Sequence, residues 1–166
     1  MGQWLLNFLS EYCSTLISVK PHKLENGDWV IDEKILLNTL SQKEATEAII
    51  VRTLPNSNDK LTRDYSETNP PYFTESAIKA LNSFGFTHLI TDLPSIDKEQ
   101  DGGLLNGHRA FWGLSESKLI HKTITEMVYI DNVVDDGIYL CNIQIAPIES
   151  DASPSKVILY EMFHKN

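Results

Sequence analysis

Three oxygen-bearing side chains follow one apolar run of the sequence. Asp92, Ser95 and Asp97 lie within six residues, directly after T-H-L-I-T. Pro94 must end the strand predicted there, because proline has no amide hydrogen to donate to a sheet. Polar groups just past the carboxyl end of a strand commonly line ligand sites, whereas Asp and Ser side chains also bond to backbone amides in turns. The cluster is therefore a candidate site lining, with an ordinary turn as the alternative.

A histidine and a carboxylate further along the chain are also predicted to face the interior. Residues Leu104 to Trp112 have the spacing of a short helix, with His108 on its apolar face. The other residues of that face are Leu104, Leu105, Phe111 and Trp112. Thr123 to Ile130 alternates as a strand, which places Glu126 on the same face as Ile124 and Val128.

This imidazole and this carboxylate together have the chemistry of half a metal site. A carboxylate that faces a core is costly unless it is paired or bound to a metal. Histidine and carboxylate are both zinc ligands, and the carboxylates of Asp92 and Asp97 are predicted to lie at a nearby strand end. A single core histidine and a carboxylate paired with Lys or Arg are the ordinary alternatives.

Composition excludes several other classes of function. The chain has 166 residues, 42% of them hydrophobic, which predicts one domain over residues 1–166 with a real core. Its net charge of −9 opposes binding to nucleic acid or to a membrane surface, so small molecules or proteins are the expected partners. Neither a glycine-rich phosphate loop nor a G-x-S-x-G nucleophile motif is present.

The cysteines and the amino-terminal residues indicate a cytoplasmic protein. Cys13 and Cys141 are far apart and fit no metal-ligand spacing, so we expect free, buried thiols in a reducing compartment. The apolar run from Trp4 to Leu9 is too short for a membrane span and has no basic leader.

The order of predicted elements indicates a mixed α/β domain. Helices are predicted at Gln3–Cys13, Asp32–Leu40, Thr74–Phe84 and Leu104–Trp112. Strands are predicted at Leu16–Val19, Glu47–Leu54, Thr87–Thr91, Thr123–Ile130, Ile138–Ala146 and Lys156–Met162. Asp135-Asp136-Gly137 has the composition of a hairpin turn, so the last three strands are predicted to be antiparallel neighbours. The segment of seventeen residues from Pro55 to Pro71 is polar and turn-rich, which predicts either a lid or binding loop or a solvated excursion.

Several segments resemble the cyclase family of metal-dependent hydrolases, which includes bacterial kynurenine formamidase. T-D-L-P-S-I-D at 91–97 resembles the D-x-x-S-x-D segment of that family. H-R-A-F-W, T-I-T-E-M and I-Q-I-A-P-I-E-S-D-A-S-P-S-K-V-I-L-Y are similar to its carboxyl-terminal part. The resemblance implies a swivelling β/β/α fold, with a mixed or barrel-like sheet and flanking helices. It also implies a divalent metal, zinc or manganese, with His108 and Glu126 as ligands and Asp92, Ser95 and Asp97 beside them. The implied activity is hydrolysis of a small-molecule amide, as by an arylformamidase of tryptophan catabolism.

One departure from the family bears directly on activity. The family motif H-x-G-T-H-x-D-x-P-x-H supplies further metal ligands and the base, and it does not occur in this sequence. We therefore expect a truncated cyclase-like domain that is inactive alone, or a non-catalytic module with the same fold. Part of its sheet should then be uncovered, which predicts a homo-oligomer such as a dimer.

Overall fold

The computed structural model describes residues 10–40, 46–114 and 121–162. The strands are β1 (Ser10–Val19), β2 (His22–Lys23), β3 (Trp29–Ile31), β4 (Ala48–Thr53), β5 (Tyr72–Phe73), β6 (His88–Thr91), β7 (Thr123–Thr125), β8 (Gly137–Ile145) and β9 (Ser155–Glu161). The α-helices of the described part are α1 (Glu33–Leu40), α2 (Glu75–Ser83) and α3 (Asn106–Trp112).

A curled six-stranded sheet, half of a barrel, forms the centre of the molecule. Its strand order is β7-β6-β4-β1-β8-β9. The first four of these strands are parallel, β8 is antiparallel to β1, and β9 is antiparallel to β8. A smaller sheet has the order β2-β3-β5. The predicted mixed α/β architecture is therefore confirmed.

The central strand β4 has six consecutive buried residues because both faces of the sheet are covered there. Ile49 and Val51 belong to the core between the sheet and the helices, whereas Ile50 belongs to a second core on the opposite face. In that second core Cys141 is buried, and burial raises the pKa of its thiol to about 11. Both cysteines are free, but Cys13 is only half-buried, so the prediction of a buried thiol holds for Cys141 alone.

Two helices begin where their capping residues predict. The Oδ1 atom of Asp32 accepts the Ile35 amide at the start of α1, and Thr74 Oγ1 accepts the Ala77 amide at the start of α2. Gly85 follows α2 with φ +85°, a conformation that glycine adopts without strain. The starts of α1 and α2 and the end of α2 follow from the chemistry of these neighbouring residues, and the predictions for them were correct.

The helix predicted at Gln3–Cys13 is wrong over its described part. Ser10–Cys13 belong to β1, which pairs with β8 from Ser10 to Leu16 and with β4 from Ser14 to Val19. The remainder of the predicted helix lies outside the described residues. Ser10–Cys13 pair with β8 and extend the strand that β4 joins from Ser14 onward, so tertiary pairing overrides the helical spacing.

The strand predicted at Thr123–Ile130 ends early. β7 stops at Thr125, and Met127 adopts φ +62°, which no regular strand permits. The amides of Met127 and Val128 then donate to the carbonyls of Leu93 and Thr91. The residues after β7 thus form an irregular segment that is hydrogen-bonded to the end of β6.

The predicted antiparallel arrangement of the last three strands is also wrong. Only β8 and β9 are antiparallel neighbours, because β7 lies at the far edge of the sheet, parallel to β6. Asp136 therefore does not form a hairpin between β7 and β8. Its carboxylate accepts from the amide and hydroxyl of Ser18 and from the guanidinium of Arg52.

The helix predicted at Leu104–Trp112 begins two residues later, at Asn106. Leu105 adopts φ +48°, and the side chains of Leu104 and Leu105 are exposed rather than facing the core. The left-handed residue interrupts helical geometry, so the apolar face of α3 begins only after it.

The loop from Pro55 to Pro71 is held against the body of the protein. It contains a 3₁₀ helix, Asn58–Leu61, from which Lys60 reaches the buried carboxylate of Asp92 at 2.8 Å. The carboxylate of Glu99 accepts the backbone amides of Glu67 and Asn69. These contacts favour an ordered loop over a solvated excursion.

A membrane-crossing helix is not found in the described ranges: every helix there is too short or too polar.

Candidate functional site

The side chain of Asp97 positions His108 through three hydrogen bonds. Its Oδ1 atom accepts the Gly107 amide at 2.5 Å, and its Oδ2 atom accepts the His108 amide at 3.1 Å. Oδ2 also lies 2.7 Å from His108 Nδ1. The imidazole is therefore held through Nδ1, and its Nε2 atom is left to face a different partner.

Gly107 is required for this approach. A Cβ atom at position 107 would lie 2.8 Å from Asp97 Oδ1, which is closer than such contacts allow. The sequence N-G-H could have indicated this role, since a glycine next to a candidate ligand permits a close approach of its backbone. We did not single out Gly107 from the sequence.

Glu126 lies across from His108 at the end of β7. Its Oε1 atom accepts the Ile96 amide at 2.8 Å, and its carboxylate also bonds to the Ser95 side chain. The distance from His108 Nε2 to Glu126 Oε1 is 3.7 Å. The prediction that Glu126 lies inward beside His108 is therefore confirmed.

Burial and the neighbouring charges change the pKa values of all three groups. The Asp97 hydrogen bond raises the pKa of His108 despite its burial, with the Glu126 carboxylate adding to the effect. Burial opposes ionisation of Asp97, but His108 and the amides of Gly107 and His108 outweigh it and lower its pKa. Burial raises the pKa of Glu126, and the Ile96 amide, His108 and Ser95 offset this only in part.

A cavity of about 590 Å³ opens beside this pair. His108 and Glu126 line it together with Trp112 and Met127. The Trp112 ring lies edge-on to the imidazole, with centroids 5.2 Å apart. Residues 151–154, from the loop before β9, and Ser155, the first residue of β9, form another part of the wall. This loop was not predicted to contribute, because only the tertiary fold brings it to His108.

The geometry of the pair fits two ligands of one divalent metal. Donors that each lie about 2.1 Å from a tetrahedral zinc are roughly 3.4 Å apart, close to the observed 3.7 Å between Nε2 and Oε1. Metal-bound histidines usually donate their other nitrogen to a carboxylate, as His108 does to Asp97. Within residues 10–40, 46–114 and 121–162, however, no group of three His, Cys, Asp or Glu is arranged to hold a metal.

The side chain of Asp92 has Thr53 and Lys60 as its partners, rather than His108 and Glu126. Its carboxylate accepts from the amide and hydroxyl of Thr53 and from the ammonium group of Lys60. Both charged side chains are almost fully buried, at 1% and 6% exposure. Of the three predicted lining residues, Ser95 and Asp97 thus contact the pair directly, whereas Asp92 anchors the loop of residues 55–71.

No protein-family model matches this chain, and no curated protein matches it. Several solved structures are similar to it, including two that are named as metal-dependent hydrolases. One is a predicted metal-dependent hydrolase from Bacillus stearothermophilus, 16% identical with a TM-score of 0.63 over 93% of this chain and 65% of the other. The second is a potential metal-dependent hydrolase with cyclase activity, 17% identical with a TM-score of 0.61 over 93% of this chain and 66% of the other.

The similarity establishes a cyclase-like fold for this chain, as the sequence resemblance implied. This chain spans just under two thirds of the length of each neighbour, 65% and 66%. A shared fold does not establish a shared activity, because activity depends on the residues of the site.

Proposed function

We propose that His108 and Glu126 are two ligands of a divalent metal, zinc or manganese, in a hydrolase site of the cyclase type. The observation that carries this proposal is the 3.7 Å separation of His108 Nε2 and Glu126 Oε1 with Nδ1 held by Asp97. The proposed substrate is a small-molecule amide, and N-formylkynurenine is the specific candidate that the sequence resemblance implies.

Each residue around the pair has a distinct task in this proposal. A metal bound there would lower the pKa of a water molecule toward neutrality. Asp97 keeps the Nε2 atom of His108 directed at the cavity, and Ser95 with the Ile96 amide holds the carboxylate of Glu126. Trp112 covers one side of the imidazole and limits the access of solvent.

The proposed site needs donors from outside the described residues. A catalytic zinc is normally held by three protein ligands, with one position open for water. The described residues offer this pair and no group of three. We propose that the missing ligands and the base lie in a segment of the H-x-G-T-H-x-D-x-P-x-H type, which this sequence does not contain.

A non-catalytic module with this fold is the second candidate. The observation that favours it is that the described residues offer only His108 and Glu126 as a metal-binding pair. Two protein ligands retain a metal weakly. In that case the Asp97–His108–Glu126 arrangement is a buried polar network that stabilises the end of β6.

Metal titration tests the assignment of ligands. Zinc and manganese are titrated calorimetrically into protein first treated with chelator. We expect His108→Ala and Glu126→Gln each to weaken binding by more than about 10-fold. His121→Ala removes an exposed histidine and is the matched control, expected to leave affinity unchanged. Equal affinity in all four proteins would contradict the proposal.

Hydrolysis is tested with and without the missing motif. The chain alone, supplied with zinc or manganese, is expected not to hydrolyse N-formylkynurenine at an enzymatic rate. A separately made peptide bearing H-x-G-T-H-x-D-x-P-x-H is expected to restore metal-dependent turnover that His108→Ala abolishes. Turnover by the unaided chain, also lost in His108→Ala, would show that its own residues complete the site. Metal binding without turnover in either arm would favour the non-catalytic module.

We further propose that the protein is cytoplasmic and forms a homodimer. The dimer proposal is supported by the partly covered apolar face of the sheet, where Val128, Val157 and Leu159 are only half-buried.

A further inference from the structure

We infer that a second cavity, separate from the His108 site, binds a small planar aromatic anion such as an aryl carboxylate. The cavity measures about 350 Å³ and lies where β1 and β4 end, under the loop of residues 55–71. It shares no lining residue with the cavity beside His108 and Glu126. Its size lies at the lower end of the range for small-molecule sites.

The walls of this second cavity are mostly aromatic and apolar. Trp29, on β3, is 42% exposed, and Leu54, just after β4, is 38% exposed. Tyr65 from the loop completes the aromatic lining. An aromatic ring inserted between such groups removes apolar surface from water and stacks on the indole. This favours a flat, one- or two-ring ligand.

Prolines restrict the backbone freedom of the cavity walls. Four prolines line it: Pro21, Pro55, Pro70 and Pro71. A proline ring fixes φ, so these walls have little freedom to lose on binding. The loop is held from behind by the Lys60–Asp92 ion pair and by Glu99, whose carboxylate accepts two of its amides.

The charged residues that line the cavity are both cations, Lys20 and Arg63. Lys20 is exposed and has no ion-pair partner among residues the structure describes. Arg63 pairs with Asp59, and its guanidinium carbon lies 5.6 Å from the centre of the Tyr65 ring. Because Asp59 offsets the charge of Arg63, the ammonium group of Lys20, unpaired within the described residues, is what favours an anionic ligand in this chain with a net charge of −9.

The position in the fold supports a ligand site. β1 and β4 are parallel, and the strand order reverses at β1, with β4, β6 and β7 on one side of it and β8 and β9 on the other. Lys20 and Leu54 directly follow the carboxyl ends of these two strands. Ligands of α/β sheets bind outside the carboxyl ends of strands, at such changes in topology.

Binding of 2-naphthoate and its neutral amide, 2-naphthamide, tests this inference by calorimetry in the presence of chelator. Chelator removes any metal at the His108 site, so the outcome does not depend on the proposed hydrolase function. We expect saturable binding of both probes, with the anion bound more tightly. Trp29→Ala should weaken both by about 10-fold or more, whereas Trp29→Phe should retain most of the affinity.

Lys20→Gln should weaken 2-naphthoate by about 3- to 10-fold and leave 2-naphthamide unchanged. Lys34→Gln, an exposed lysine outside the cavity, is the matched control for the lost charge. His108→Ala should bind both probes like the wild type. Absence of saturable binding by the folded protein would overturn the inference. So would binding that His108→Ala abolishes, or that Trp29→Ala and Lys20→Gln leave unchanged.

Discussion

The Oδ2 atom of Asp97 lies 2.7 Å from His108 Nδ1, and the same oxygen accepts the His108 backbone amide. Asp97 belongs to the segment after β6, whereas His108 is on α3. One carboxylate thus fixes both the start of the helix and the orientation of the imidazole. Because Nδ1 is engaged, only Nε2 remains to face Glu126.

We predict that Asp97→Asn weakens zinc binding without removing a ligand. Asparagine keeps the size of the side chain but loses the charge that orients the imidazole. Loss of such a supporting carboxylate costs about 10- to 100-fold in metal affinity. Competition with a chromophoric chelator measures the change. Glu33→Gln, an exposed carboxylate at the start of α1, is the control and should bind zinc like the wild type.

We predict that Phe111→Ala destabilises the protein by about 3–5 kcal/mol. Phe111 is on α3 and fully buried in the core between helices and sheet, so its removal leaves a cavity. Leu104→Ala should change the free energy of unfolding by less than about 0.5 kcal/mol, because its side chain is 59% exposed. Urea denaturation measures both, and similar losses in the two variants would contradict the placement of Leu104 outside the core.

We predict that Asp28 contributes to acid unfolding. This buried carboxylate accepts from Lys98, Asn69 and Tyr72, with Lys98 the main cause that lowers its pKa to about 2. Since the folded pKa lies below the unfolded value of 3.8, this stabilisation is complete above pH 4. It is lost as the pH falls from about 4 to about 2.

Asp28→Asn should therefore be less stable at neutral pH and lose less stability between pH 4 and pH 2. The measurement is the urea midpoint as a function of pH. Glu25→Gln, an exposed carboxylate nearby, should follow the pH dependence of the wild type. An unchanged acid profile in Asp28→Asn would contradict the prediction.

We predict that the protein self-associates at micromolar concentration through the face of the six-stranded sheet that lies opposite the helices. Val157 and Leu159, on β9, pack only partly against the core of that face. A groove of about 450 Å³ runs beside them. Light scattering should report a dimer for the wild type and a monomer for Val157→Lys. Leu61→Lys changes a 63% exposed loop residue and should remain dimeric. A monomeric wild-type protein would rule out the dimer.

Local chemistry in the sequence determined the caps of α1 and α2 and the buried strand β4. Asp32 and Thr74 accept amides of their own first turns, so their effect requires no distant partner. The pairing of His108 with Glu126 was predicted from two separate apolar patterns, and it was correct in position. Its role as a metal site remains a prediction, since it depends on donors beyond those described.

The tertiary structure alone decided the pairing of strands and the partners of buried charges. β7 lies at one edge of the sheet and β8 beyond β1, although the sequence between them has the composition of a hairpin turn. Asp92 faces Lys60 rather than His108, because the loop of residues 55–71 folds back over the end of β6. Such contacts join residues far apart in sequence, and no local pattern of spacing or propensity encodes which of several charged partners will meet.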